Sequence, residues 1–160
     1  MVLGMSLETY TLVHVVISLI GIGSGLLVVF GMLNGKLLHG WNGLFLLTTV
    51  LTSFTGFGFP FEHLLPSHII GIISPVVLAI ALVARYVQHL AGSWRRIYAI
   101  TAVIALYFNT FVLVFQGFLK VPALHALAPT QKEPPFLVAQ LVVMAIFVGL
   151  GVGAAKKFRN

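Results

Sequence analysis

The chain has 160 residues, 59% of them hydrophobic and only 8% charged, against roughly 45–50% apolar and about 25% charged in soluble domains. A soluble fold of this length cannot bury that much apolar surface, so lipid is the expected solvent and a soluble domain is excluded. The net charge of +6 rests on nine Lys and Arg against three acids. These basic residues sit at the ends of apolar runs, where membrane topology accounts for them without nucleic acid as a partner.

Five apolar runs follow one another, at residues 11–33, 41–59, 68–90, 97–118 and 136–155. Each is near the roughly 20 residues that a helix needs to cross ~30 Å of hydrocarbon. The predicted fold is therefore all-α, a polytopic bundle of about five membrane helices forming one domain over residues 1–160. Strands are excluded because the runs are too long, do not alternate, and an open sheet leaves its backbone unsatisfied in lipid.

The first run is too long for the apolar core of a secretory signal, and no Lys or Arg precedes Lys36. It reads as a retained helix. Asn34-Gly35 is expected to end it, and His14, Ser18, Gly21 and Gly25 share one of its faces. The second run ends at Pro60 and carries Thr48, Thr52 and Thr55 at helical spacing, with Gly56 beside them. In the third, Ser67 stands at the capping position and His68, Gly71, Pro75 and Ala79 share a face. Pro75 cannot donate to the Gly71 carbonyl, which predicts a kink one turn into the helix.

Ser93 is the expected cap of the fourth run, whose polar stripe is Ala102, Ala105, Asn109 and Gln116. Segment 120–134 then carries an apolar stretch between Pro122 and Pro129, which reads either as a short interfacial helix or as a hydrophobic loop. Pro134-Pro135 opens the fifth run, with Glu133 at its positive dipole end and Gly149, Gly151 and Gly153 near its close. Small residues let helices approach closely in lipid, so these stripes are expected to face the bundle interior.

With the amino terminus outside, the inner side holds Lys36, Arg85, Arg95, Arg96, Lys156, Lys157 and Arg159, and the outer side only Lys120 and Lys132. The positive-inside rule then predicts N-outside, C-inside. Trp41, Tyr86, Trp94 and Tyr98 fall at the inner boundary, as an aromatic belt does.

With no cysteine present, a cofactor would need histidine, carboxylate or backbone ligands. In that topology His14, His63, His68 and His125 are outer, and His39 and His89 inner. His14 and His68 stand at similar depth, and His125 can join them if its loop folds back. Three chemistries fit such a group. Paired imidazoles hold a haem b, with Gly71 leaving room for the ring; imidazoles with Glu8, Glu62 or Glu133 bind a transition metal; or the histidines relay protons. The plain alternative is that they are interfacial polar residues. A second, inner haem is disfavoured because His68 and His89 lie ~31 Å apart along a helix, at opposite boundaries. Thr48, Thr52, Asn109 and Gln116 form a possible polar lining, or simply hydrogen-bonded glue between helices. No phosphate-binding glycine loop, His-Glu-x-x-His, Gly-x-Ser-x-Gly or intramembrane carboxylate occurs.

The stretch Lys120-Val121-Pro122-Ala123-Leu124-His125-Ala126-Leu127-Ala128-Pro129-Thr130-Gln131, followed by Glu133-Pro134-Pro135-Phe136, resembles small multi-spanning inner-membrane proteins of bacteria. The likeness takes in Gly56-Phe57, Pro66-Ser67-His68 and Ala84-Arg85-Tyr86. That group has no assigned activity, so the resemblance implies an inner-membrane location and topology alone. A looser likeness to the cytochrome b561 type, which holds two haems on histidine pairs, implies at most one outer haem here. Three functions stay open: a membrane redox or cofactor-binding protein on His14, His68 and His125; a small transporter or channel component; or a structural subunit. The partners expected are the bilayer and either a second copy or a larger membrane complex.

Overall fold

The computed structural model describes residues 4–57 and 66–158, and of residues 66–68 the backbone alone. The expected stop at Pro60, the cap by Ser67, and Glu62, His63 and Arg159 lie outside the described residues or side chains. All regular structure among the described residues is helical: α1 (Leu7–Leu33), α2 (His39–Gly56), α3 (Pro66–Leu82), α4 (Trp94–Lys120), α5 (Pro122–Leu127) and α6 (Pro134–Lys157). A π-helical turn, Val83–Val87, continues α3.

Local chemistry explains the first helix. The Ser6 hydroxyl accepts from the Thr9 amide at 3.2 Å, satisfying one of the amides that a helix start leaves unpaired. At the other end Gly35 takes φ +73°, which a residue without Cβ adopts freely. The Lys36 amide then donates to the Gly31 carbonyl and the Gly35 amide to that of Met32, both at 2.9 Å. This is the Schellman pattern, and it turns the chain into α2.

α1 and α2 run antiparallel along nearly their full lengths. The Tyr10 hydroxyl donates to the Thr55 carbonyl at 2.6 Å. Deeper in the pair Gly21 faces Thr48, Gly25 faces Phe45 and Gly31 faces Leu38. Among the described residues, four helices are long and apolar enough to cross a membrane, formed by Leu7–Leu33, Ile69–Val87, Trp94–Lys120 and Pro134–Lys157. α2 is more polar, with Asn42 and several threonines among its 18 residues. It nevertheless lies against α1, from Thr55 at Tyr10 to Phe45 at Gly25, inside the same bundle.

α4 is the hub, packing on α1, α3, α5 and α6. It buries Tyr98, Ala99, Ala102, Val103 and Leu106 in one cluster with Val28, Met32 and Phe45. Ser93 precedes it at φ −64°, ψ −18°, already helical, and its side chain caps nothing. The sequence extends the third helix to residue 90; the structure ends it earlier. His89 and Leu90 have φ of 51° and 58°, which breaks the helix. That turn lets the Leu90 side chain fold back into the core.

The segment after α4 does form a short helix. Leu124 of α5 lies over Gly117, and Ala128 is fully buried. Phe136 meets Phe115 and Phe118 edge-on, with ring centroids at 6.0 and 5.5 Å. At the other end of the bundle, the Arg95 guanidinium stacks on Phe158 at 4.0 Å. The two ends are named below by Glu8, in the first turn of α1, and by Lys36, beyond its last.

Of the three glycines near the end of α6, Gly151 packs against Val103 and Gly153 against Leu33, whereas Gly149 has nothing within 4 Å of where a Cβ would be. Gly149 lies one turn from Gly153 toward the Glu8 end, where nothing approaches this face. Its expected place in the interior is therefore corrected.

Glu133 precedes α6, but its carboxylate turns backward. It accepts from the Thr130 hydroxyl at 2.7 Å and from the amides of Thr130 and Lys132. The Thr130 hydrogen bond, helped by those amides, holds the carboxyl below the usual carboxylate range. A depressed folded-state pKa contributes order above the unfolded value, and this is lost as pH falls through the folded one. Hydrogen exchange at the Thr130 and Lys132 amides should therefore lose protection on acidification from about pH 5 toward pH 3. Glu133→Ala should show the low-pH protection already at neutrality. Protection unaffected by either change would mean that the carboxylate does not hold this turn.

Candidate intramembrane cavity

Toward the Glu8 end, α1, α2, α3 and α4 diverge around a cavity of about 290 Å³. α1 contributes His14 and Ser18 one turn apart, α2 Thr52, Ser53 and Gly56, α3 Gly71 and Ser74, and α4 Asn109 and Gln116. His14 and Ser18, Thr52 and Gly56, Gly71 and Ser74, and Asn109 and Gln116 recur at three, four or seven residues, and so each pair shares a face.

His14 has a defined orientation. Its Nδ1 lies 2.6 Å from the Thr55 hydroxyl oxygen, and that hydroxyl is itself 2.7 Å from the Leu51 carbonyl. Thr55 thus joins the ring to the α2 backbone, and the ring tautomer decides which of the two donates in the His14–Thr55 hydrogen bond. Gly56 lets the ring lie close to α2, with Cε1 3.7 Å from where a Cβ would stand.

The other polar groups divide by what they offer. The Ser18 hydroxyl donates to the Val15 carbonyl at 2.8 Å and that of Thr52 to the Thr48 carbonyl at 2.7 Å. Both therefore turn lone pairs, not protons, to other partners. Pro75 lies inside α3 and has no amide proton, so the Gly71 carbonyl lacks its usual helical partner at the cavity wall. Asn109 Nδ2 and Gln116 Oε1 are buried and make no hydrogen bond among the described residues. The described lining residues include no Lys, Arg, Asp or Glu, and two of them, Asn109 and Gln116, carry these buried, unpaired atoms.

Of the residues singled out from sequence, His14, Thr52, Asn109 and Gln116 meet at this cavity. Thr48 sits deeper, against Gly21 and near Asn109. His125 is exposed on α5, which leans on α4 and α6 away from the cavity lining. His68 begins α3, but its side chain lies outside the described ones. Among the described residues, no three His, Asp or Glu side chains stand together as a metal-binding group. Ser74 and the orienting role of Thr55 were not read from sequence, although Ser74 follows Gly71 by three residues and helical spacing alone could have found it.

A second polar group lies toward the Lys36 end. The Tyr98 hydroxyl donates to Asn42 Oδ1, and both residues are almost completely buried. At the surface nearby, Arg85 reaches His39 Nδ1 at 3.0 Å. A guanidinium only donates, so His39 Nδ1 accepts in this contact. His39 and His89 are both exposed.

Comparison of the chain with protein-family models, with curated proteins and with solved structures finds no significant match, so the chemistry of the cavity itself carries the functional argument.

Proposed function

We propose that this integral membrane protein binds a small, uncharged polar molecule in the α1–α4 cavity and serves as a transport component of the inner membrane, its amino terminus outside. The carrying observation is the pair of unpartnered buried atoms, Asn109 Nδ2 and Gln116 Oε1. Leaving such a group without a partner costs about 1–3 kcal/mol. Turned toward the cavity that both residues line, the two amides relieve that cost by donating to one ligand group and accepting from another. The described lining residues carry no acidic or strongly basic side chain, which favours an uncharged ligand, and 290 Å³ falls just below the roughly 300–1,000 Å³ typical of ligand sites.

The test is permeation of glycerol and urea into proteoliposomes, followed by light scattering after osmotic shock. The wild-type protein should accelerate entry of at least one of them. Asn109→Leu and Gln116→Leu should each lower that acceleration about tenfold, the effect of ~1.4 kcal/mol. Equal rates in wild-type and empty liposomes, or unchanged rates in both variants, would refute the reading.

One observation favours a second reading, haem or metal binding. Thr55 contacts His14 Nδ1 as second-shell partners contact ligand histidines, and on this reading Nε2 is the ligating atom. His68, at the start of the adjacent α3, would be the other imidazole, whereas His125 on α5 stands away from this cavity. On this reading the purified protein shows a haem spectrum or stoichiometric metal, and His14→Ala removes it. A colourless, metal-free and folded preparation would leave only the first reading.

A further inference from the structure

A second concavity, of about 360 Å³, opens sideways between α4 and α6. Its walls are apolar: Ile100, Ile104 and Tyr107 on α4, and Val148, Gly151 and Val152 on α6. It extends along α6 from Met144 to Ala155, ~16 Å at 1.5 Å per residue. That is about half of the ~30 Å hydrocarbon core. A groove for another helix would continue through both leaflets; this one occupies a single leaflet, the length of one acyl chain.

The rows that form the walls continue into basic side chains. Arg96 precedes Ile100 and Ile104 at four-residue spacing, and Lys156 follows Val148 and Val152 at the same spacing. Residues so spaced lie on one helix face, and both Arg96 and Lys156 are exposed. The described carboxylates, Glu8 and Glu133, stand at the opposite end of the bundle. Nothing at the Lys36 end therefore offsets these charges among the described residues.

We infer that the α4–α6 groove is a binding site for one anionic phospholipid, with an acyl chain along the groove and the phosphate between Arg96 and Lys156. An apolar slot one leaflet deep, ending in two cations, matches the two halves of that molecule. Basic pockets between membrane helices hold anionic headgroups on the same principle. The site is separate from the α1–α4 cavity and does not depend on what that cavity binds.

The test is native mass spectrometry of the full chain, released from micelles containing phosphatidylglycerol and phosphatidylcholine with identical chains. Wild-type protein should retain one phosphatidylglycerol in preference to phosphatidylcholine. Arg96→Gln and Lys156→Gln should each reduce that preference about fivefold, the effect of one basic group near an anionic surface. Val152→Trp, at a lipid-facing position, should fill the slot and lower retention of both lipids. Millimolar inorganic phosphate should not displace the lipid, since it lacks the chain. Circular dichroism of each variant establishes that the helices are intact. Equal retention of the two lipids by wild type, displacement by phosphate, retention indifferent to all three variants, or a protein dimer closing the groove would each overturn the inference.

Discussion

Replacing Gly25 with valine should destabilise the bundle more than any other single glycine substitution on α1. A Cβ at this position would stand 2.7 Å from a Leu106 methyl and 2.8 and 2.9 Å from the ring of Phe45. Both neighbours are flexible in principle, yet Leu106 is 0% exposed and Phe45 1%, so neither has room to swing away. The strain falls where α1, α2 and the hub helix α4 meet, and the helices must separate to relieve it. Overpacking of this kind costs about 1–3 kcal/mol, and the branched valine should reach the upper end. Gly23 provides the control, because nothing lies within 4 Å of its missing Cβ. There Gly23→Ala should be neutral or stabilising, by up to about 1 kcal/mol from helix propensity. Unfolding by sodium dodecyl sulfate at constant total detergent, followed by circular dichroism, separates the two. Equal midpoints for the Gly25 and Gly23 variants would mean that α1 does not make this close approach.

Removing one hydroxyl should have a comparable effect about one turn nearer the Lys36 end. Tyr98→Phe deletes the donor to Asn42 Oδ1, in surroundings where Tyr98 is 0% and Asn42 1% exposed. Asn42 Nδ2 already lacks a partner among the described residues, so the substitution leaves the amide wholly unpaired. The expected loss is about 1–3 kcal/mol, because removing one partner exposes the desolvation cost of the other. Asn42→Leu alone should cost a similar amount by stranding the phenol. The double variant removes both polar partners and should be more stable than the two single losses predict, with a coupling of about 0.5–3 kcal/mol. The same detergent titration measures all three. Simple additivity would show that the two side chains do not act as a pair.

These two sites mark how far the chain could be read without its fold. The stripe His14, Ser18, Gly21 and Gly25 is visible as a periodicity, and so is the expectation that it faces other helices. Which member sits in the tightest contact is not visible. Gly25 is decided by Phe45 and Leu106, 20 and 81 residues further along the chain. Likewise Asn42 and Tyr98 look like an ordinary interfacial pair of residue types until α2 and α4 bring them together across 56 residues. Gly149 shows the converse: the same residue type near Gly151 and Gly153, but facing open space. The π turn at Val83–Val87 and the reversal at His89 and Leu90 have no local signal of their own; they follow from burying Leu90.

By composition alone the chain is committed to lipid and to helices, since an apolar backbone segment without water can satisfy its amides only within itself. Local chemistry likewise sets the turn at Asn34-Gly35 and the start at Pro134, where one or two residues contain the whole cause. Depth, facing and partnership are different in kind. Whether His14 meets Asn109 and Gln116 at a cavity, how Thr55 orients its ring, and where two helices leave a slot beside Arg96 and Lys156 depend on side chains far apart in the chain. Those relations exist only once the helices have packed, because in a bilayer close fit and interhelical hydrogen bonds select among arrangements that hydrophobicity does not distinguish.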